Sequence, residues 1–493
     1  MNAPSPGASR AEDARARIGH PVIDGDGHMI EVEPILLEYM KQVGGESLVQ
    51  DYVKWCQSRW RRWYDADHAT RRAWHIQRTT YWGFPSANTV DRMTCMLPGM
   101  MRARMDKLGI DLAIAYPTIG ALFLGQPRPD MRRALVRATN LMNADLYRSY
   151  GDRLIPVAAI PMNTPQEALE ELDFAVGKLG FKAIMMQGAV RRPVPEAYQG
   201  AGRFGNSYYM DHLAMDSEFD YDPVWQKCID LKVAVTTHSG AQGLPNRTSP
   251  SSFVFNHIGH FAQHHEGMCK AFLMGGVMAR FPQLRVAFLE GGVGWAVNLY
   301  NQFYEHWEKR NIDAMKQHLD PALVDRKQVV QFIEQYGDAV HRAHVDAMRT
   351  RDGYFFEQWE EKDEDLDEFR ASGIRSKDDI RALFADRFYF GCEADDRMIP
   401  WAFDTKLNRK GARLKAIFSS DIGHWDVIDA TDCLAETYEL VERGHITTED
   451  LKDFTFANPV ELHGSLNPDF FRGTAIAADA DRILGRPQSV AAE

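Results

Sequence analysis

The sequence has few cysteines and lacks a long apolar run. Its six cysteines are widely spaced and form no Cys-x-x-Cys pair, which argues against a disulfide framework and against a cysteine zinc site. We therefore expect reduced thiols and a cytoplasmic protein. No apolar stretch is long enough to span a bilayer. Residues 1–20 also lack the apolar core of a signal peptide, and their composition predicts a disordered leader.

Basic residues are in the minority, with 57 Lys+Arg against 69 Asp+Glu and a formal net charge of −12. Because such an acidic surface repels phosphate backbones and anionic lipid, we expect neither nucleic acid nor a membrane as a partner. The absence of a Gly-x-Ser-x-Gly elbow disfavours a serine hydrolase. No P-loop is present and no Gly-x-Gly-x-x-Gly follows a predicted strand, so nucleotide cofactors are not indicated. A small-molecule substrate is the partner that we expect.

What the sequence does contain is a series of short apolar runs, each followed by a helical pattern. Strands that are buried on both faces and alternate with helices predict a parallel sheet. Eight such units favour a closed, distorted (β/α)₈ TIM barrel with long helical insertions, and an open doubly wound sheet is the alternative. The predicted strands are residues 21–24, 110–116, 155–160, 181–186, 233–237, 284–289, 388–390 and 414–418.

Three long segments interrupt this repeat. We expect one barrel domain over residues 21–465, followed by a C-terminal tail over 466–493. The insertion at about 35–100 is aromatic-rich and predicts either a packed helical layer or a wall that stacks on the substrate. The insertion at about 188–221 is loop-like, and that at about 300–385 is charged and helical. Insertions of this length often serve as lids, caps or subunit contacts.

Metal-ligating residue types stand at three strand ends, where the loops of a parallel barrel converge. Asp26 and His28 alternate along the end of the first strand and can both face the barrel mouth. His238 ends the fifth strand and Asp421 the eighth. Taken singly, each has another explanation: the segment with Asp26 and His28 could be a turn, His238 a hydrogen-bonded core histidine, and Asp421 a helix N-cap. Together they predict a site for one Zn²⁺- or Mn²⁺-sized ion with positions open for water and substrate.

Other strand ends provide candidates for substrate binding. Tyr116, Gln187 and Glu393 lie at or past the ends of the second, fourth and seventh strands. Arg191, just after the fourth strand, could hold a substrate carboxylate as a bidentate fork, or it could be a surface arginine on a loop. The aromatic content of the first insertion would suit a cyclic or aromatic substrate.

Several of these motifs resemble one known family. The end of the first strand, the His-Ser-Gly after the fifth, and the runs Phe281–Trp295 and Ser419–Asp426 resemble the amidohydrolase-related family. The similar branch is the one that includes aminocarboxymuconate-semialdehyde decarboxylase. The resemblance covers roughly residues 20–300 and 385–465. It implies an enzyme with one metal ion on a distorted barrel, which hydrolyses C–N or C–C bonds or removes carboxyl groups.

The resemblance also implies roles for single residues. It identifies Asp26, His28, His238 and Asp421 as metal ligands or near-ligands. The first-strand pair is usually His-x-His, so Asp26 is a departure from the family pattern. Glu290 stands where the sixth strand usually delivers a catalytic histidine, and a histidine in the loop after the fifth strand could substitute for it. The candidate loop histidines are His257, His260, His264 and His265, and His257 is also a candidate for substrate binding.

Two reactions fit this set of residues. In hydrolysis, a bound cation would lower the pKa of water to about 7. Asp421 or Glu290 would then accept its proton, and His424 would protonate the leaving group. In decarboxylation, Asp421 would protonate the carbanion. Because the sixth-strand histidine is absent, we expect a hydrolase acting on a small carboxylated substrate, with decarboxylation as the alternative. A ligand-binding barrel without catalysis is a third possibility, and the family favours Zn²⁺ over Mn²⁺ and a homodimer.

Overall fold

The computed structural model describes residues 9–79, 83–194, 208–238, 247–350 and 361–486, without the side chains of Trp60 and Asp363. Ten strands lie in these ranges, and eight of them form the barrel. The strands are β1 (Ile23–Met29), β2 (Leu112–Pro117), β3 (Leu154–Ile160), β4 (Ala183–Met186), β5 (Val190–Pro193), β6 (Tyr208–Asp211), β7 (Val235–Thr237), β8 (Val286–Phe288), β9 (Phe388–Glu393) and β10 (Lys415–Ser419).

The barrel strands follow one another around the sheet in the order β1-β2-β3-β4-β7-β8-β9-β10. Each strand is parallel to the next. The sheet closes where the amide of Asp421, just past β10, donates to the carbonyl of Asp26 in β1 at 3.2 Å. A doubly wound sheet would instead reverse its strand order at the centre. The predicted (β/α)₈ barrel is therefore confirmed, and the open sheet is excluded.

The barrel strands carry apolar side chains on both faces, which is why they appear in the sequence as continuous apolar runs. Every residue of β1, β2, β4 and β8 is buried. All eight predicted runs contain or begin a barrel strand, although β1 continues beyond its predicted end at Asp24 to Met29. Asp26 and His28 therefore lie within the strand and not in the loop after it. All six cysteines are free thiols, as the sequence predicts.

Helices cover the outside of the barrel and fill the insertions. One of them begins at Pro165, where the Thr164 hydroxyl accepts from the Glu167 amide at 3.2 Å. Across the described ranges, no helix has the length and apolar character to cross a membrane. The helices are α1 (Arg10–Arg15), α2 (Glu33–Asp65), α3 (His68–Ala73), α4 (Thr89–Met96), α5 (Pro98–Leu108), α6 (Thr118–Phe123), α7 (Pro129–Tyr147), α8 (Pro165–Leu172), α9 (Asp222–Asp230), α10 (Phe253–His257), α11 (His260–Met274), α12 (Val277–Arg280), α13 (Gly294–Arg310), α14 (Ile312–Ala314), α15 (Arg326–Tyr336), α16 (Ala339–Ala343), α17 (Asp363–Leu366), α18 (Lys377–Phe384), α19 (Ile399–Phe403), α20 (Cys433–Glu442), α21 (Thr448–Lys452), α22 (Asn458–Gly464) and α23 (Ala477–Ile483).

The segment before the barrel is not a disordered leader over the part that the structure describes. Helix α1 begins with a capping box at Ser9, and Ala11 and Ala14 are buried against the rest of the protein. The prediction of disorder is therefore wrong for residues 9–20, because tertiary packing of two alanines outweighs the polar composition. Residues 1–8 lie outside the described residues.

The insertions contain regular structure. The second, predicted to be loop-like, contains the antiparallel pair β5–β6, so that prediction is wrong for these two segments, while residues 195–207 lie outside the described ones. In the first insertion, the Trp63 ring lies 3.6 Å from the guanidinium groups of both Arg71 and Arg78. Its Nε1 donates to the carbonyl of Pro250 at 2.7 Å. These contacts of Trp63 agree with the packed helical layer, the first of the two alternatives predicted for this insertion.

Candidate metal centre

Strand β1 carries two candidate ligands, Asp26 and His28, which are both buried. The register of β1 against β2 shifts between Asp24 and Gly27. Such an irregularity re-aims side chains. The His28 Nε2 atom lies 3.7 Å from Asp26 Oδ1. The two side chains are thus close enough for one ion to contact both.

His238 follows β7 and Glu290 follows β8, and their side chains meet. The His238 Nε2 atom lies 2.8 Å from Glu290 Oε2, and both side chains are buried. Glu290 has a φ of 57°, a left-handed conformation that costs a non-glycine residue about 1–3 kcal/mol. The residue before it is held by His265, whose Nε2 donates to the carbonyl of Leu289 at 2.5 Å. The carboxylate that replaces the family's usual histidine therefore occupies a fixed place beside a candidate ligand.

Asp421 brings the last strand into contact with the first. Its Oδ1 atom lies 2.7 Å from His424 Nδ1 and 3.2 Å from His28 Nε2. The two imidazole rings are 4.0 Å apart between their centres. Asp421 also has a left-handed φ, of 49°. One carboxylate is thus shared between a candidate metal ligand and a second histidine that can carry a proton.

Two hydroxyl groups from the end of β2 adjoin this cluster. The Thr118 hydroxyl lies 3.4 Å from both His28 Nδ1 and His424 Nε2. The other ring nitrogen of His28, Nε2, faces Asp26 and Asp421, and a contact to the second ring nitrogen commonly orients a metal-binding histidine. Tyr116 is buried, and its hydroxyl donates to Thr236 Oγ1 at 3.1 Å. Sequence reasoning missed Thr118, although it stands immediately past a strand end.

Burial perturbs the ionisation of five residues of this cluster. It raises the pKa of Asp26, Glu290 and Asp421 well above the ordinary values of these carboxyls. It lowers the pKa of His28 well below its usual range and that of His424 to about 3. In each case loss of water disfavours the charged form. A divalent cation would supply the missing positive charge, and neutral imidazole is the form that binds a metal.

The ligand atoms are spaced for a metal ion. Within each of two groups, which share His28, these atoms lie within 4.8 Å of one another. Three of these buried atoms make no hydrogen bond with any described residue. They are both carboxylate oxygens of Asp26 and the Nε2 atom of His28. Buried polar atoms left in this way cost free energy, which a cation would offset. The residues present therefore fit a divalent ion. The two groups are Asp26, His28 and His238, and His28, Glu290, Asp421 and His424.

A cavity of about 390 Å³ opens beside Glu290. Ligand pockets commonly range from about 300 to 1,000 Å³, so this one suits a small molecule. Burial, reinforced by the charge of Glu290, raises the pKa of Glu393 in its wall to about 8. No lysine or arginine occurs among the described residues that line it. Its aromatic and acidic lining residues are His257, His260, Phe261, Trp295, Glu290, Glu393, Asp395 and Asp396.

The predicted substrate-contacting residues fall in different places. His257 and Glu393 line the cavity. Gln187, past β4, donates through Nε2 to Asn163 Oδ1 at 3.2 Å. Arg191 is exposed on the β5–β6 pair, where its guanidinium lies 3.7 Å from the centre of the Tyr208 ring. Neither Gln187 nor Arg191 is among the described residues of the cavity wall.

A closed barrel with buried carboxylates and imidazoles at the C-terminal ends of its strands is the architecture of a metal-dependent barrel enzyme. Residues 51–344, more than half of the chain, match the family model described as amidohydrolase. The chain belongs to the amidohydrolase family. The family that the sequence motifs predicted is thereby confirmed, and the protein is an enzyme of that family.

Solved structures similar to this chain include two decarboxylases and one amidohydrolase. The 5-carboxyvanillate decarboxylase of Novosphingobium aromaticivorans, solved with manganese, is 16% identical, with 90% of this chain and 96% of that chain covered and a TM-score of 0.49. The dihydroxybenzoic acid decarboxylase of Polaromonas sp. JS666, also with manganese, is 14% identical, with 92% and 99% covered and a TM-score of 0.45. An amidohydrolase of Mycobacterium avium subsp. paratuberculosis is 16% identical, with 76% of each chain covered and a TM-score of 0.43.

Proposed function

We propose that this chain is a metal-dependent decarboxylase that removes a carboxyl group from a small aromatic acid. The observation that carries the proposal is the charge of the cavity. Its described wall contains Asp395 and Asp396 but no lysine or arginine. Because like charges repel, a carboxylated substrate has only one favourable orientation, with its carboxylate toward the cation. That orientation brings the bond between the ring and the carboxyl group to the candidate metal centre.

The chain's residues then have distinct roles. Asp26, His28, His238 and Asp421 would hold the ion, whose nitrogen and oxygen donors suit Zn²⁺ or Mn²⁺. The ion would supply a positive charge that binds and polarises the substrate carboxylate.

The cavity and the proton carriers complete the reaction. The ring would contact Phe261 and Trp295, the aromatic carbocycles of the cavity wall. When the C–C bond breaks and CO₂ leaves, the electron pair that remains on the ring takes a proton from Asp421. Water supplies the replacement proton, which His424, at 2.7 Å from Asp421 Oδ1, relays to the carboxylate.

Hydrolysis of a C–N or C–C bond is the second candidate, favoured by the same Asp421–His424 contact. A carboxylate paired with an imidazole can accept a proton from water and pass it to a leaving group. The sequence put hydrolysis first because the sixth-strand histidine is absent. In the structure Glu290 occupies that place and contacts His238 at 2.8 Å, so the place retains a group that can carry a proton. The absence of the histidine therefore does not count against decarboxylation.

The test compares two panels of substrates on protein loaded with Mn²⁺ or Zn²⁺. Hydroxy- and amino-substituted benzoic acids are assayed for CO₂ release, and the matching amides for amine release. We expect CO₂ release that the Asp421→Asn variant loses and the Asp230→Asn variant keeps. Asp230 is an exposed carboxylate on α9 and serves as the matched control. If the protein turns over only the amides, the proposal of decarboxylation is wrong and hydrolysis takes its place. If metal-loaded protein turns over neither panel, a ligand-binding barrel without catalysis is favoured.

Three further expectations remain predictions from the sequence. They are the cytoplasmic location, the homodimer, and a role of the long insertions as lids or subunit contacts. The domain limits of residues 21–465 are part of the same proposal.

A further inference from the structure

Asp24 is a buried carboxylate that belongs to neither group of candidate ligands. Its Oδ1 accepts from the Ser420 amide at 3.0 Å, and its Oδ2 accepts from the Ser420 hydroxyl at 2.5 Å. The amide of Asp26 also donates to Oδ1, at 3.3 Å. A carboxylate that accepts three hydrogen bonds is held firmly in one orientation. Asp24 therefore joins the two chain segments that meet where the barrel closes.

Each of these two segments delivers a candidate ligand. Ser420 immediately precedes Asp421, and Asp26 is itself a candidate ligand in β1. The left-handed φ of 49° at Asp421 needs support from its surroundings, because a non-glycine residue does not adopt it without cost. The space between Asp24 and the backbone of β1 is also filled, because a Cβ at Gly27 would collide with the Asp24 carboxylate. The close fit leaves the two ligand-bearing segments a single relative position.

We propose that Asp24 is a positioning residue, which sets the distance between Asp26 and Asp421 by binding Ser420 and thereby determines the affinity for the divalent cation. This inference rests on the proposed function, since it assumes that Asp26 and Asp421 bind the ion. Loss of a residue that orients a metal ligand typically lowers metal affinity by about 10- to 100-fold. A residue that only stabilised the barrel would lower the melting temperature and leave the affinity of the folded protein unchanged.

The experiment measures the affinity of the full chain for Mn²⁺ itself. Protein stripped with EDTA is titrated with Mn²⁺, free Mn²⁺ is followed by electron paramagnetic resonance, and each variant is melted to confirm folding. Ser420→Ala removes the hydroxyl and keeps the amide donor, so we expect a Kd about 10-fold higher. Asp24→Ala removes all three hydrogen bonds that the carboxylate accepts, and we expect its Kd for Mn²⁺ to be about 100-fold higher. Asp24→Asn keeps an acceptor for the amides and can donate to the hydroxyl, so its Kd should stay within about 3-fold.

The control is Ser372→Ala, which removes another buried hydroxyl, one that donates to the Phe369 carbonyl at 2.6 Å outside the site. We expect it to lower the melting temperature and to leave the Kd for Mn²⁺ unchanged. A Ser420→Ala variant that folds and binds Mn²⁺ like the wild type would overturn the role of Asp24 and leave the proposed function intact. A wild-type chain that binds neither Mn²⁺ nor Zn²⁺ would overturn both.

Discussion

Replacing Glu393 by glutamine should stabilise the metal-free protein. Burial raises the pKa of Glu393 from its ordinary value of 4.5 to about 8. Because the folded-state pKa is the higher one, the unfolded chain loses this proton first, and stability falls as pH rises from about 4.5 to about 8. Each pH unit above about 4.5 removes about 1.4 kcal/mol of unfolding free energy, so the total loss at pH 7 would be about 3 kcal/mol. We discount this to about 2 kcal/mol because Glu393 keeps some solvent exposure.

Urea unfolding in EDTA at pH 5 and pH 7.5 measures this effect. At the higher pH we expect the Glu393→Gln midpoint to lie roughly 0.5–1 M above that of the wild type, and at the lower pH to lie close to it. Glu334→Gln, at an exposed position on α15, should change neither midpoint. Saturating Mn²⁺ should reduce the gain, since the cation attracts the carboxylates around Glu393. A gain of equal size at both pH values would refute the electrostatic explanation.

Three other measurements test the site and the scaffold. His238→Ala should lower the metal content found by elemental analysis of the purified protein, and unchanged content would remove His238 from the ligand set. Burial lowers the pKa of His463 to about 3, so this residue alone should reduce wild-type stability by up to about 1.4 kcal/mol per pH unit below about pH 6.5, and His463→Phe should make the slope in urea titrations shallower by that amount. Arg132→Met should cost about 3–5 kcal/mol of unfolding free energy, because it leaves the buried Glu167 carboxylate, now 2.7 Å from Arg132 Nη2, without its cation. Adding Glu167→Leu should recover most of that loss, and a single variant as stable as wild type would contradict the reasoning.

The barrel and the main candidate residues could be predicted because both follow from short-range pattern. Parallel strands buried on both faces appear in the sequence as apolar runs, and the residue that follows such a run lies at the barrel mouth. This reasoning pointed to Asp26, His28, His238 and Asp421 without knowledge of their contacts, and the family resemblance added Glu290. The confirmed barrel order then brings them within reach of one another.

What could not be predicted depends on contacts between distant parts of the chain. Asp24 and Ser420 are 396 positions apart, so their hydrogen bonds leave no periodic signal. Helix α1 forms because Ala11 and Ala14 are buried against the rest of the protein, whereas composition alone indicated disorder. Arg191 has the residue type for holding a carboxylate, but it lies exposed on the β5–β6 pair, which the sequence pattern does not reveal, and is not among the described cavity-lining residues.

The candidate metal centre spans the place where the barrel closes, which has a consequence for the order of folding. Asp26 lies in the first strand and Asp421 just beyond the last, so a nascent chain cannot assemble the full ligand set until β10 has been synthesised and has docked on β1. Loading of the ion would then mark the completion of folding. A cation that binds only the closed barrel also draws the equilibrium toward closure. In a cell short of the metal, more chains would remain open at this junction and within reach of proteases.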